Sequence, residues 1–242
     1  MRTLLLAALL TLPVSLPAAG AVAFDNYKDG GYQGSGTHTT TIVASGTSLG
    51  CIVVTWYRSG STGTPTCGGN AMTKVQTMAP SACSGAATVD TWIYFGAGLT
   101  AGTLTVSITA TVESILEALT VNGAQQSGQP DALAAYVTGT STLTGFGLPI
   151  TTVANNALVL GTFCEGAATH VGSASATWIG DDANVGLRFW RSAANVNPAG
   201  AFTLQALGGA DGYQVQADGL SISPPSSATT ITANPTVIVV GP

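Results

Sequence analysis

The stretch Gly46-Thr47-Ser48-Leu49-Gly50-Cys51-Ile52-Val53-Val54-Thr55-Trp56-Tyr57 decides the fold. Its first five residues match G-x-S-x-G, the nucleophile elbow of the α/β-hydrolases, and Asp131 and His170 follow in the order of that triad. The elbow needs a strand before the serine and a helix after it. Here the serine is followed by a run of β-branched and aromatic residues without helical spacing. We therefore read 46–50 as a turn between strands, and the chain as all-β.

The same composition recurs on both sides. Segments 39–44, 51–57, 88–95, 104–110, 115–121, 157–163, 185–190, 202–207 and 213–222 are rich in Val, Ile, Thr and aromatics. Gly, Ser, Pro and Asn clusters at 59–65, 79–85, 123–130, 195–200 and 208–212 separate them. Short strands at this spacing predict an antiparallel, jelly-roll-like β-sandwich over residues 24–223. Segment 112–119 carries Glu113 and Glu117 four apart, as on a helix face, but its flanks make it a strand. Thr41-Ile42-Val43-Ala44-Ser45 leads through Leu49 into Ile52-Val53-Val54, and Thr152-Val153-Ala154-Asn155-Asn156 leads into Leu158-Val159-Leu160. The echo suits two related hairpins without proving duplication. Pro224-Pro225-Ser226-Ser227 reads as a linker, and 236–240 beyond it as an edge strand of the same sheet or a strand donated to a neighbour.

Only 7 % of the 242 residues are charged, while 45 % are hydrophobic and mean hydropathy is +0.39. That apolar content argues against disorder. Six Lys and Arg against eleven acids, net −5, exclude a phosphate-neutralising basic face, so no nucleic-acid partner is expected. No later run reaches the length of a membrane-spanning helix. At the N-terminus, Arg2, the apolar stretch 4–10 and the small-x-small site Ala21-Val22-Ala23 form the pattern of a secretory signal peptide over 1–23, the alternative being a retained apolar arm. In an exported chain the four cysteines predict disulfides. Of three connectivities we favour Cys67–Cys83, a local clip, and Cys51–Cys164, joining two strands.

Chemistry-bearing residues are few. His38 and His170 read as surface or strand-end residues without the further ligands a metal site needs, and no metal or other cofactor is expected. Asp181-Asp182 near Asn184 offers too few oxygens for calcium alone and reads as a turn. Glu113, Glu117 and Glu165 are carboxylates of the type glycosidases use, but nothing in the sequence pairs them. Trp56, Tyr57, Trp92, Trp178 and Trp190 are the aromatic candidates for ligand contact, of which Trp56, Trp92 and Trp190, in strands, read as core. Trp178, before Ile179-Gly180-Asp181-Asp182 in an expected loop, is the aromatic most suited to ligand contact. Trp178, Asp181 and Asp182 are therefore the candidate ligand-binding residues, and no catalytic residue is assigned.

Four further segments carry a resemblance: Val22-Ala23-Phe24-Asp25; Gly68-Gly69-Asn70-Ala71-Met72-Thr73-Lys74-Val75; Trp92-Ile93-Tyr94-Phe95 through Ala101-Gly102-Thr103-Leu104-Thr105-Val106; and Asn156-Ala157-Leu158-Val159-Leu160-Gly161. Over about residues 22–223 the chain resembles a widespread, poorly characterised β-sandwich module of phage structural proteins and secreted bacterial proteins. The resemblance implies a jelly-roll-like or immunoglobulin-like sandwich with a structural or adhesive role, and supplies no catalytic residues. The four cysteines and the C-terminal tail depart from it. The expectation is a non-enzymatic subunit, secreted or on a virion surface, whose partners are copies of itself, other surface subunits or glycans. A secreted carbohydrate-binding module is the alternative.

Overall fold

The computed structural model describes residues 20–83, 87–140, 145–165, 170–171, 173–208 and 214–226. The expected tail strand at 236–240 and most of the leader lie outside the described residues. The first half of the chain forms β1 (Ala23–Gln33), β2 (Gly36–Ala44), β3 (Gly50–Arg58), β4 (Thr66–Cys67), β5 (Asn70–Ala71), β6 (Thr73–Met78), β7 (Ala87–Phe95), β8 (Gly102–Ala110) and β9 (Ser114–Asn122). The second forms β10 (Ala132–Thr140), β11 (Phe146–Thr151), β12 (Leu158–Glu165), β13 (His170–Val171), β14 (Ala176–Asp182), β15 (Leu187–Ser192), β16 (Ala201–Gly208) and β17 (Gln214–Ile222). All nine expected strands are present, including the ambiguous segment, which is β9.

The strands pair antiparallel into four sheets. The first half gives an inner sheet, β1-β9-β3-β7-β6, and an outer sheet, β2-β8-β4-β5; the second gives an inner sheet, β10-β17-β12-β15-β14, and an outer sheet, β11-β16-β13. Alternation along each strand sends successive side chains to opposite faces. From β3, Ile52, Val54 and Trp56 enter one core, while Cys51 and Val53 enter another. The core of Ile52, Trp56, Leu160, Phe189 and Leu220 lies between the two inner sheets. Two further cores lie between each inner sheet and its outer partner. The molecule is thus two antiparallel sandwiches stacked back to back. The cavity between the inner sheets holds only about 10 Å³, too little for more than one water.

Among the described residues the halves repeat strand for strand, with β4 answered by β13 and only β5 without a counterpart. The repetition extends to detail. A β-bulge breaks the β6/β7 register between Lys74 and Gln76, and the β14/β15 register at the matching place, between Trp178 and Gly180. Trp92 and Trp190 then occupy equivalent buried positions. Ser48 and Asn156, in the turns before β3 and β12, both have positive φ, 53° and 60°. Asp25 accepts hydrogen bonds from the Ser45 N–H at 2.7 Å and the Thr120 hydroxyl at 3.1 Å. Asp131 accepts them from the Val153 and Ala154 N–H groups at 2.8 and 3.0 Å and from the Ser221 hydroxyl at 3.0 Å. Each aspartate ties the entry of a half to its second and last strands. The echo between 41–54 and 152–160 belongs to the equivalent connections β2–β3 and β11–β12, which cross from outer to inner sheet and are not the hairpins expected.

All four cysteines are bridged, but as Cys51–Cys67 and Cys83–Cys164 rather than in the expected pairs. The reason is the face each occupies. Cys51 and Cys67 point into the core of the first sandwich, and Cys83 and Cys164 into the core between the inner sheets. A bond between Cys51 and Cys164 would have to cross an inner sheet. The first bridge joins the two sheets of one sandwich, with Cα atoms 6.7 Å apart. The second joins the halves, with Cα atoms 5.0 Å apart.

Loop-closure entropy ranks the two bridges. Separations of 16 and 81 residues correspond to about 3 and about 4.5 kcal/mol of stabilisation. We expect Cys83→Ser with Cys164→Ser to lower the free energy of unfolding more than Cys51→Ser with Cys67→Ser, measured by guanidinium denaturation of the two double variants.

Candidate functional site

The two inner sheets meet with opposite edges over one another. On one side Tyr27 of β1 lies over Gly180 of β14, and its ring is 5.7 Å from Phe189 of β15. A side chain at position 180 would collide with the Tyr27 ring, so glycine permits this approach. On the other side Gln76 of β6 donates to the Ala134 carbonyl of β10 at 2.7 Å. Since β1 corresponds to β10 and β6 to β14, the arrangement approximates a two-fold.

On the β1/β14 side three carboxylates converge. Asp29 stands opposite Glu117 in the β1/β9 register, and Asp182, the last residue of β14, reaches them from the second half. One oxygen of each lies within 4.8 Å of the others. Glu117 is completely buried and Asp182 nearly so, while Asp29 is exposed. Both Glu117 oxygens, Asp182 Oδ2 and the Tyr27 hydroxyl lack a hydrogen-bond partner. Asp182 Oδ1 accepts from the Asn184 N–H at 2.8 Å, and Asp29 Oδ1 from the Gly31 N–H at 2.6 Å. Burial pushes the Glu117 carboxyl up to about 9, with Asp29 and Asp182 adding repulsion. Asp182 is raised by its burial and by Asp29. The Tyr27 hydroxyl is raised by burial and by Glu117. The neighbouring cation, Arg188, faces Glu165 at 2.8 Å and Asp181 at 3.3 Å.

Asp218 of β17 occupies the position in the second half that Glu117 holds in the first. Glu117 stands opposite Val54 and Asp218 opposite Thr162, equivalent residues of β3 and β12. Asp218 is buried with both oxygens unpartnered, and desolvation raises it to about 7.

The expected site residues are brought together only in part. Asp182 joins the acidic seam and Asp181 the Arg188 pair. Trp178 is 43 % exposed, but it lies in β14, at the edge of a sheet, and not in a loop. Trp56, Trp92 and Trp190 are buried, as read, and so is Tyr57. Glu113 pairs at the surface with Arg58 and Glu165 with Arg188, so the three glutamates do not converge. His38 is buried and bridges the Gly34 carbonyl and the Ser114 hydroxyl, not at the surface or a strand end. The side chain of His170 lies outside the described residues. Asp131, the acid of the apparent triad, is taken up in its clamp. The sequence reading passed over Asp29 and the seam role of Glu117. The available signal was an acid at the centre of an otherwise apolar strand, Ile115-Leu116-Glu117-Ala118-Leu119.

Comparison with family models, with curated proteins and with solved structures gives no match. What the site does must therefore be argued from its residues.

Both buried acids are raised in the folded state, so between their unfolded and folded pKa values the native protein holds the extra proton. Stability is then greatest below about pH 4 and falls as pH rises, through about 7 for Asp218 and about 9 for Glu117. In metal-free buffer Glu117→Gln should flatten the fall between pH 5 and 9, and Asp218→Asn the part below pH 7, read from denaturation midpoints across that range.

Proposed function

We propose that this chain is a non-enzymatic structural or adhesive subunit that assembles on an extracellular surface or particle through the edges of its sheets. The character of those edges supports the reading most directly. Of the large apolar side chains left exposed among the described residues, Tyr32, Val43, Leu133, Tyr136 and Trp178 lie in β1, β2, β10 and β14, each an end strand of its sheet; the sixth, Val153, lies in a turn. Monomeric sheets usually guard such edges with lysine, other charges or very short strands. β10 has nine residues and no charge, and β2 has nine with only His38 as a titratable group. Beside β10 a groove of about 330 Å³ is lined by Leu133, Ala135, Pro149, Ile150, Phe202 and Thr203. An uncharged edge beside a groove of mixed, uncharged lining suits pairing with another strand.

Each half reads as a jelly roll, two antiparallel sheets between which the chain crosses repeatedly. Two disulfides are compatible with an extracellular location, and no described helix is long and apolar enough to cross a membrane. Export with a cleaved leader and a place on a secreted filament or virion surface complete the proposal. Val22 is buried between the inner sheets and its carbonyl accepts from Asn195 at 2.8 Å. The expected cleavage after Ala23 would remove these contacts, whereas cleavage before Val22 keeps them. On the proposed reading the contacts are kept, and intact mass of the exported protein should place the first residue at or before Val22.

Sedimentation should show wild-type protein associating with rising concentration, and Leu133→Lys with Tyr136→Lys should leave monomers. A wild-type protein that stays monomeric at high micromolar concentration would exclude edge assembly. Carbohydrate binding is the second reading, favoured by the exposed Trp178 ring. On that reading Trp178→Ala abolishes retention on a glycan array while leaving sedimentation unchanged.

A further inference from the structure

We infer that the acidic seam binds a divalent cation of the Ca²⁺ class, held by Asp29 and Glu117 from the first half and Asp182 from the second, and that this cation clamps the two sandwiches together. The inference is independent of the assembly reading.

Three features support it besides the meeting of acids. First, the ligands are largely unspent. Asp182 Oδ2 has no hydrogen-bond partner, and the completely buried Glu117 carboxylate has only the neighbouring Tyr27 hydroxyl to draw on, without a well-formed bond to it. An unpartnered buried carboxylate costs free energy that a bound cation would recover. Arg188 does not serve here, because it is engaged with Glu165 and Asp181. Lys28 stands opposite Ala118, on the other face of the sheet from Glu117.

Second, the chemistry of the site suits calcium better than magnesium. Ca²⁺ takes oxygens at about 2.3–2.6 Å in a flexible shell, so ligands up to about 5 Å apart can share one ion, whereas Mg²⁺ demands near-ideal octahedral geometry and gives up its waters reluctantly. One oxygen of each carboxylate lies within 4.8 Å of the others. Two oxygens of Glu117, Oδ2 of Asp182 and the second oxygen of Asp29 make four ligands. Exposed Asp29 leaves the site open to the waters that complete six to eight.

Third, the fold does not require an acid at position 182. In the other half the residue equivalent to Asp182 is Met78, also the last residue of its strand and buried. The residue equivalent to Glu117 is Asp218, whose carboxyl is raised by burial alone, with no neighbouring carboxylate contributing. Two stacked sandwiches of one topology pack with methionine at one end of the seam and aspartate at the other. Asp182, which turns one buried acid into a cluster, is therefore a departure from what packing alone uses.

The test is calorimetric titration of CaCl₂ into full-length protein stripped with EDTA, with thermal unfolding at each concentration. Saturable binding of one ion per chain and a rise in melting temperature with calcium concentration are expected, with MgCl₂ at least tenfold weaker. Glu117→Gln should abolish binding. Asp29→Asn, at an exposed position that does not threaten folding, should weaken it at least tenfold. Asp218→Asn should leave it unchanged. A wild-type melting temperature indifferent to calcium would overturn the proposal, as would equal binding by Asp29→Asn. In those cases Glu117 is a protonated core residue and nothing more.

Discussion

The contact between the two inner sheets is the interaction on which the rest of the molecule depends. Each inner sheet is covered on both faces, by the other inner sheet and by its own outer sheet. Its central strands are consequently buried from end to end: β9 and β12 along nearly every residue, β3 up to Arg58, β17 from Val215 onward. A strand with two covered faces has no side on which to carry charge. This accounts for a chain with 7 % charged residues that is nevertheless folded. Of the acids that do lie on those strands, Glu165 is paired with Arg188, which leaves Glu117 and Asp218 conspicuous as costs to stability.

The seam is secured at several points by residues far apart in sequence. Cys83–Cys164 joins the halves covalently, and the Ala82 N–H donates to Gln216 at 2.9 Å beside it. Tyr27 packs over Gly180, Arg191 lies 5.8 Å from the Phe24 ring, and Asn195 donates to Val22. The hairpin turns β6–β7 and β14–β15 both reach across to the opposite half, one carrying Cys83 and the other ending on Asp182. A repeated unit turned against itself brings the same hairpin to both ends of the interface, so differences between the ends lie in side chains rather than backbone. Met78 against Asp182 and Gln76 against Gly180 are such differences.

Much of the fold was legible in the sequence because its central strands are doubly buried. β3, β7, β9, β12 and β17 announce themselves as β-branched and aromatic runs, since both of their faces must be apolar. The strands that were missed are mostly edges. β1 contains Asp25, Asn26, Lys28, Asp29 and two glycines; β10 is rich in alanine; β11 contains Pro149; and β14 ends in two aspartates. An edge strand leaves one row of backbone groups unpaired and half its side chains in solvent, so proline, glycine and charge are tolerated there and the signal fades. The resemblance between 41–54 and 152–160 was visible as a pattern, but Asp25 and Asp131 reveal their shared role only through the strands each one ties.

The sequence by itself determined an all-β chain with a turn in place of a nucleophile elbow, four cysteines paired within disulfides, buried Trp56, Trp92 and Trp190, and an exposed Trp178. These follow from local composition, because a strand's two faces and a turn's glycines are written in neighbouring residues. Tertiary structure alone decided which cysteines pair, that the sheets number four, and that Asp29, Glu117 and Asp182 meet. Each of those depends on which face of which sheet a residue occupies and on how two sheets are turned against each other. Contacts between residues some 65 to 150 positions apart leave no local trace in the chain.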